Sequence, residues 1–306
     1  MGLWGWPMRR KVIQIAESTQ LISLPRKWCI EHGIKKGEEL EVTEEGTKLI
    51  VDTAKEFLMT RSKILIEKPE KLFGQTIRST YIMGVDELEV EFGQPEVLKL
   101  VQNESAKLLG FEIVSHSNKG CVIRSVASAL DTEFDSILRR TLLLLTEMAK
   151  DSLVALKSGN FSALSEIVER ERINNKLTAF CLRVLNKKGY KDRKKMTAMY
   201  GLVCELEYLA DEYREISNYV QAKKCRLDPK VLSLFQGMVE RTQEFYELVY
   251  KFTIESLALF IRKLNDESYK KALDLLHNSK RHNTRVLHHL ISISEKLYHS
   301  TVFLSQ

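Results

Sequence analysis

Acidic side chains spaced four apart recur beyond residue 130 of the sequence, as Asp131 with Asp135, Glu147 with Asp151, and Glu207 with Asp211. On a helix, residues at that spacing stand one above the other on a single face. Two carboxylates so placed repel unless they are solvated, protonated or bridged by a cation. Facing helices can pool such pairs into an oxygen-rich site that suits hard or borderline cations. An exposed acidic helix face produces the same spacing, so spacing alone leaves both outcomes open. No His or Cys occurs with zinc-site spacing, and Cys204 beside Glu205 reads as a core thiol.

Three other groups of residues bear on function. Five of the seven histidines, His277, His282, His288, His289 and His299, lie near the C-terminal end, where a solvated or interfacial helix explains them as well as a metal site does. Residues 187–195 carry six basic side chains (Lys187, Lys188, Lys191, Arg193, Lys194, Lys195) against Asp192. Such a turn could contact DNA, acidic partners or phosphate, and reads first as solvated. Near the start, Arg9, Arg10, Lys11, Arg26, Lys27, Lys35 and Lys36 precede the acidic stretch 38–45. Residues 1–60 hold nine Lys/Arg and nine Asp/Glu, so the segment is neutral, but its signs are segregated. A dimer could gather the basic group on one face and touch DNA phosphates; alternatively the charges are solvated and the segment only dimerises. Nothing supplies a nucleophile, a general base with an orienting partner, or a phosphate-cradling glycine loop, so the sequence does not read as an enzyme.

These groups must be positioned by the elements around them. The 306 residues are 44% hydrophobic and 29% charged with a net charge of +6, enough for two or three domains of an ordinary soluble chain. The five cysteines (Cys29, Cys121, Cys181, Cys204, Cys225) are scattered and odd in number, which predicts free thiols in a reducing cytoplasm. Residues 1–7 are too short for a signal peptide and no window approaches the ~20 apolar residues of a membrane span. Cytoplasmic location is therefore expected.

Pro95 and Pro229 bracket a stretch without proline, as long helices require, since an interior proline costs a helix about 3 kcal/mol. Before it, strands are predicted over 12–15 and 21–24, a short helix over 25–32 closed by Gly33, and a hairpin of 39–42 with 48–51. The alternation of Leu88, Val90 and Phe92 with Glu87, Glu89 and Glu91 predicts a half-buried strand over 81–92. A helix follows Pro95 up to Gly110, then strands 111–114 and 121–126. Helical spacing dominates from 130: one helix ending at Gly159-Asn160, a second over 161–185, a third over 196–222, a fourth from Asp228-Pro229 to about 264, and a last stretch opened by Asn265-Asp266. Long helix, Asn/Asp turn, helix occurs twice, suggesting an internal repeat. The expected domains are 8–53, a small α/β connector 56–127, and helical repeats 130–225 and 228–306. The expected fold class is multidomain α+β, mostly α.

Two stretches resemble known families. Arg9 to Ile15, then Ser18 to Trp28 with the Leu24-Pro25 step, then Gly33-Ile34-Lys35-Lys36-Gly37-Glu38, resemble the AbrB/SpoVT swapped-hairpin family across residues 8–53. That resemblance implies an obligate homodimer with interleaved hairpins that binds DNA through the seven basic residues named above. Residues 131–222 resemble one three-helix repeat of the phosphate-uptake regulator (PhoU) family. Glu205-Leu206-Glu207-Tyr208-Leu209-Ala210-Asp211 carries the likeness, Glu-Leu-Glu-Arg-Ile-Gly-Asp being typical there. It implies metal ligands at Glu147, Asp151, Glu207 and Asp211, with Glu169 and Glu171 offered by the second helix, and iron or zinc as the ion. In the second repeat, Leu257 to Phe260 parallels Leu153 to Leu156, which places Lys251 opposite Glu147 and argues against metal there. Its third helix is either missing or supplied by 287–304, where Glu295 and His299 are the obvious polar groups. Together these resemblances imply a transcriptional or signalling regulator of phosphate uptake that binds DNA and senses metal or a partner. The alternative is an adaptor that dimerises without binding DNA and docks on a phosphate transporter or its sensor kinase.

Overall fold

The computed structural model describes residues 8–15, 19–53, 59–68, 70, 72–126, 133–277, 279 and 281–304. Asp131 and the residues before Met8 lie outside that set. The chain divides into two compact units, Met1–Leu58 and Met59–Gln306.

The first unit is built from two hairpins and one helical turn. Strand β1 (Ile13–Ile15) pairs antiparallel with β2 (Thr19–Leu21), and β3 (Glu41–Glu45) with β4 (Lys48–Asp52). Helix α1 (Arg26–Glu31) starts after Pro25, whose fixed φ of −62° suits a helix entrance. The chain then turns through Gly33 and Gly37 at φ of 60° and 86°, backbone that a side chain disfavours. Between them the Glu38 carboxylate accepts from the Lys35 backbone N–H at 2.8 Å. Strand β2 begins earlier than the apolar run 21–24 predicts, because register pairs Gln20 with Gln14 and leaves residues 22–24 leading into Pro25.

The second unit opens with an α/β segment: β5 (Arg61–Ile66), α2 (Leu72–Ile82), β6 (Glu87–Phe92), α3 (Glu96–Ser105), β7 (Phe111–Ser117) and β8 (Gly120–Ser125). The sheet order is β5-β6-β8-β7, with β5 and β6 parallel and the other pairs antiparallel. Leu88, Val90 and Phe92 face the core with Ile66, Ile77, Tyr81 and Ile123. On the other face Arg61 and Arg124 pair with Glu87, and Lys63 with Glu89 and Glu91. Tyr81 corrects the expected strand 81–92: it sits in α2, and the strand proper begins at Glu87 after Gly84 turns the chain at φ 90°.

The bundle comprises α4 (Phe134–Ser158), α5 (Leu164–Lys188), α6 (Met196–Lys223), α7 (Pro229–Tyr250), α8 (Ile254–Lys263), α9 (Lys270–His277) and α10 (Arg281–Ser300). A π-helical turn, Leu264–Tyr269, joins α8 to α9. Gly159 in the left-handed region ends α4, and Pro229 opens α7 at its first position. The helix expected to run from 229 to about 264 is two helices. Thr253 and Ser256 exchange side-chain and backbone hydrogen bonds in a capping box that starts α8 afresh. Residues 265–266 open no new element but lie inside the π turn. Helix α10 packs Val286, Leu287, Leu290, Ile293 and Leu297 into the core. Gly201 on α6 leaves the space that the Phe303 ring fills; a Cβ there would stand 2.4 Å from it. The whole is a mostly helical α+β chain.

Candidate functional site

In the first unit the seven basic residues are all exposed. Arg9, Arg10 and Lys11 lead into β1, Arg26 and Lys27 form the first turn of α1, and Lys35 and Lys36 lie in the glycine-bounded turn. None forms an ion pair among the described residues, and Arg10 donates to the Met8 sulfur at 3.0 Å.

In the bundle, most of the expected metal ligands face arginines. Glu147 on α4 is exposed, and Asp151 pairs with Arg170 of α5. Glu207 on α6 accepts from Arg78 of α2 at 2.6 Å and from the Thr178 hydroxyl at 3.3 Å. Asp211 lies 2.7 Å from Arg214, which also reaches the almost fully buried Glu171 at 2.5 Å. Asn175 donates to the same Glu171 oxygen at 2.5 Å. Burial pushes the Glu171 carboxyl above its usual range and Asp211 beside it adds to the rise, while Arg214 opposes it. Glu169 points elsewhere, pairing with Arg172 on its own helix. Arranged this way the four carboxylates do not form a coordination shell: among the described residues no three His, Cys, Asp or Glu side chains converge on one metal position. Guanidinium groups supply the positive charge that a cation would bring. The matching arginines were not picked out from the sequence, although Arg214, three residues after Asp211 on one helix face, was a local signal.

Several of the other conspicuous charges are also paired. Of the expected basic turn, Lys187 and Lys188 belong to the last turn of α5; Lys187 reaches Asp86 at 2.5 Å, and Lys191 reaches Asp135 of α4 at 2.6 Å. Asp86 is buried, which alone would raise its pKa, but bonds from Lys187 and from the Thr60 backbone and hydroxyl hold it below the usual carboxylate range. Among the described residues no three His, Cys, Asp or Glu side chains converge around a histidine. His288 and His299 are exposed, whereas His289 lies 2.6 Å from Glu212 of α6. Ser292 and Lys296 donate to the other Glu212 oxygen at 2.7 and 2.9 Å. Burial would raise Glu212, yet these three partners bring it down to about 2. On the same helix Glu205 keeps one buried oxygen without a partner among the described residues, and burial raises its pKa. The alignment of Lys251 with Glu147 does not hold in three dimensions: Lys251 follows the end of α7, whereas Glu147 is inside α4.

All five cysteines are unpaired, and burial pushes the Cys121 and Cys181 thiols up to about 11 and about 12. Among the described residues no helix is long and apolar enough to cross a membrane.

No protein-family model matches the chain, and no curated protein does. Among solved structures it is similar to a PhoU-like phosphate regulatory protein of Shewanella oneidensis MR-1, at 12% identity and a TM-score of 0.42, over 55% of this chain and 95% of that one. At that level the fold rests on this chain's own elements.

Proposed function

We propose that the chain is a non-enzymatic regulator of phosphate uptake that dimerises through its first unit, binds DNA with it, and responds to a ligand or partner through the helical body. One observation carries the reading. No described residue of the first unit is buried, and its apolar side chains stand open: Val12 at 62%, Ile13 at 55%, Ile15 at 53%, Ile30 at 70% and Leu49 at 64% exposure. Fully burying one such side chain is worth about 1.5–3 kcal/mol. A unit of this size without a core does not hold its fold alone. A second copy of the same hairpins is the cover that the swapped-hairpin resemblance implies, and pairing doubles the set of exposed basic side chains. The link to phosphate uptake rests on the Glu205 to Asp211 likeness.

The adaptor reading draws on the neutral net charge of residues 1–60. Light scattering on the purified chain, with gel shifts against its own upstream DNA at two salt concentrations, separates the two. A dimer whose DNA affinity falls steeply with salt supports the regulator. A dimer that leaves DNA unshifted at physiological salt supports the adaptor, and a monomer overturns both.

A further inference from the structure

The π turn opens a cavity of about 410 Å³ against α7, lined by Lys230, Ser233, Gly237 and Arg241 on one side and by Ser268, Lys271 and Asp274 on the other. We propose that this cavity binds a small phosphomonoester, with Lys230, Lys271 and Ser233 holding the phosphate.

The backbone is the first reason. A π turn sits between two α-helices whose flanking residues, Lys263 and Lys270, keep ordinary helical torsions of −61° and −43°. Such a turn weakens the hydrogen-bond ladder and is retained mostly where function uses it. Across the cavity, Gly237 lies inside α7, where glycine costs helix stability, and a Cβ built there meets nothing within 4 Å. Both elements give up stability and leave space at one place.

The polar inventory is the second reason. Ser268, in the π turn beside the cavity, is fully buried and its hydroxyl has no partner among the described residues, a further cost that this turn carries. Arg241, only 4% exposed, is held by Glu244 at 2.9 Å and by Glu267 at 3.2 Å, so Glu267 is committed to it. Lys230 and Lys271 are exposed and have no ion pair among the described residues. Asp274 is then the one uncommitted carboxylate of the lining against two uncommitted ammonium groups, a balance that favours an anion. Two ammonium groups and the exposed Ser233 hydroxyl match the acceptor oxygens of a phosphate. A cavity this large belongs to the ~300–1,000 Å³ range of small-molecule sites. It leaves room for an organic portion whose hydroxyl Asp274 accepts.

The site lies wholly within the second unit, so its test is independent of dimerisation and DNA binding. The full chain is titrated calorimetrically, at constant ionic strength, with glycerol 3-phosphate, glucose 6-phosphate and inorganic phosphate. At least one ester should saturate at one per chain, at least tenfold tighter than inorganic phosphate. Gly237→Leu should fill the cavity and abolish binding while leaving the melting temperature unchanged or higher. Lys230→Gln with Lys271→Gln should weaken binding at least tenfold without lowering the unliganded melting temperature. The proposal is overturned if no ester saturates the native chain, if inorganic phosphate binds as tightly as the esters, or if Gly237→Leu binds like the native chain.

Discussion

Arg183 of α5 donates to Asp86 across 2.8 Å, with the two side chains only 2% and 9% exposed. The same guanidinium donates to the carbonyls of Tyr81 and Val85 at 2.9 and 2.7 Å and stands over the Tyr81 ring. One bundle side chain thus satisfies the end of α2 and the turn before β6, locking the sheet onto the helices. Asp86→Ala strands a buried positive charge and should cost about 3–5 kcal/mol. Urea denaturation measures it. The apolar pair Arg183→Met with Asp86→Leu should recover part of that loss, and a cost below ~1 kcal/mol for Asp86→Ala would show that the pair does not hold the segment.

Glu212 makes stability depend on acid. Its folded pKa is about 2 against 4.5 for an unconstrained carboxyl, so the folded state holds the deprotonated form more firmly than the unfolded state does. That stabilisation is present in full above about 4.5 and disappears as pH falls through about 2. A shift of this size corresponds to ~3 kcal/mol. Asp86, also lowered, adds slope of the same sign, while the raised Glu171 and Glu205 act in the opposite direction. Circular dichroism of native and Glu212→Gln chains across this range should show the difference between them shrinking toward low pH. A difference that stays constant would mean that His289, Ser292 and Lys296 do not hold the carboxylate.

Much of this architecture was legible in the sequence, because the signals involved are local. Pro229 and Gly159 mark helix ends by backbone chemistry alone, and the alternation Leu88, Val90, Phe92 reports one buried sheet face. Strand β5 and helix α2 were not legible. Arg61 and Lys63 alternate with Ile64 and Ile66 too briefly to announce a strand, and it is the neighbouring β6 that completes it. The break at Thr253 was missed because the apolar spacing continues through it, while the capping box depends on Ser256 turning back on Thr253. For the carboxylates, spacing on one helix was readable. Arg78, more than a hundred residues before Glu207, was not, since only the packing of α2 against the bundle brings them together.

A cation seated between Glu171 and Asp211 must displace Arg214, whose guanidinium already lies 2.5 and 2.7 Å from the two carboxylates. Arg214→Ala removes that competitor and leaves the buried Glu171 beside the half-buried Asp211, two acids that repel. Iron or zinc retained after chelator-free purification should therefore be higher in Arg214→Ala than in the native chain, by elemental analysis. The same variant should be less stable in chelator and regain part of the loss on adding metal. Equal metal content in both chains would show that the arginine does not occupy the cation's place.

The first unit offers the most direct test of assembly. Ile13 and Leu21 face each other across the β1–β2 pair and are 55% and 45% exposed, so a charge at Ile13 costs little within one copy. Within a dimer that buries both, it places an unpaired charge in an apolar interface. Ile13→Lys should therefore shift the chain from dimer to monomer in light scattering at micromolar concentration. The second unit's thermal transition should be unaffected, since its core does not include Ile13. On the proposed reading, in which pairing sets the spacing of phosphate contacts, DNA affinity should fall with the dimer even though the substitution adds positive charge. Tighter DNA binding by Ile13→Lys would mean that charge alone, and not the assembled pair of hairpins, makes the contact.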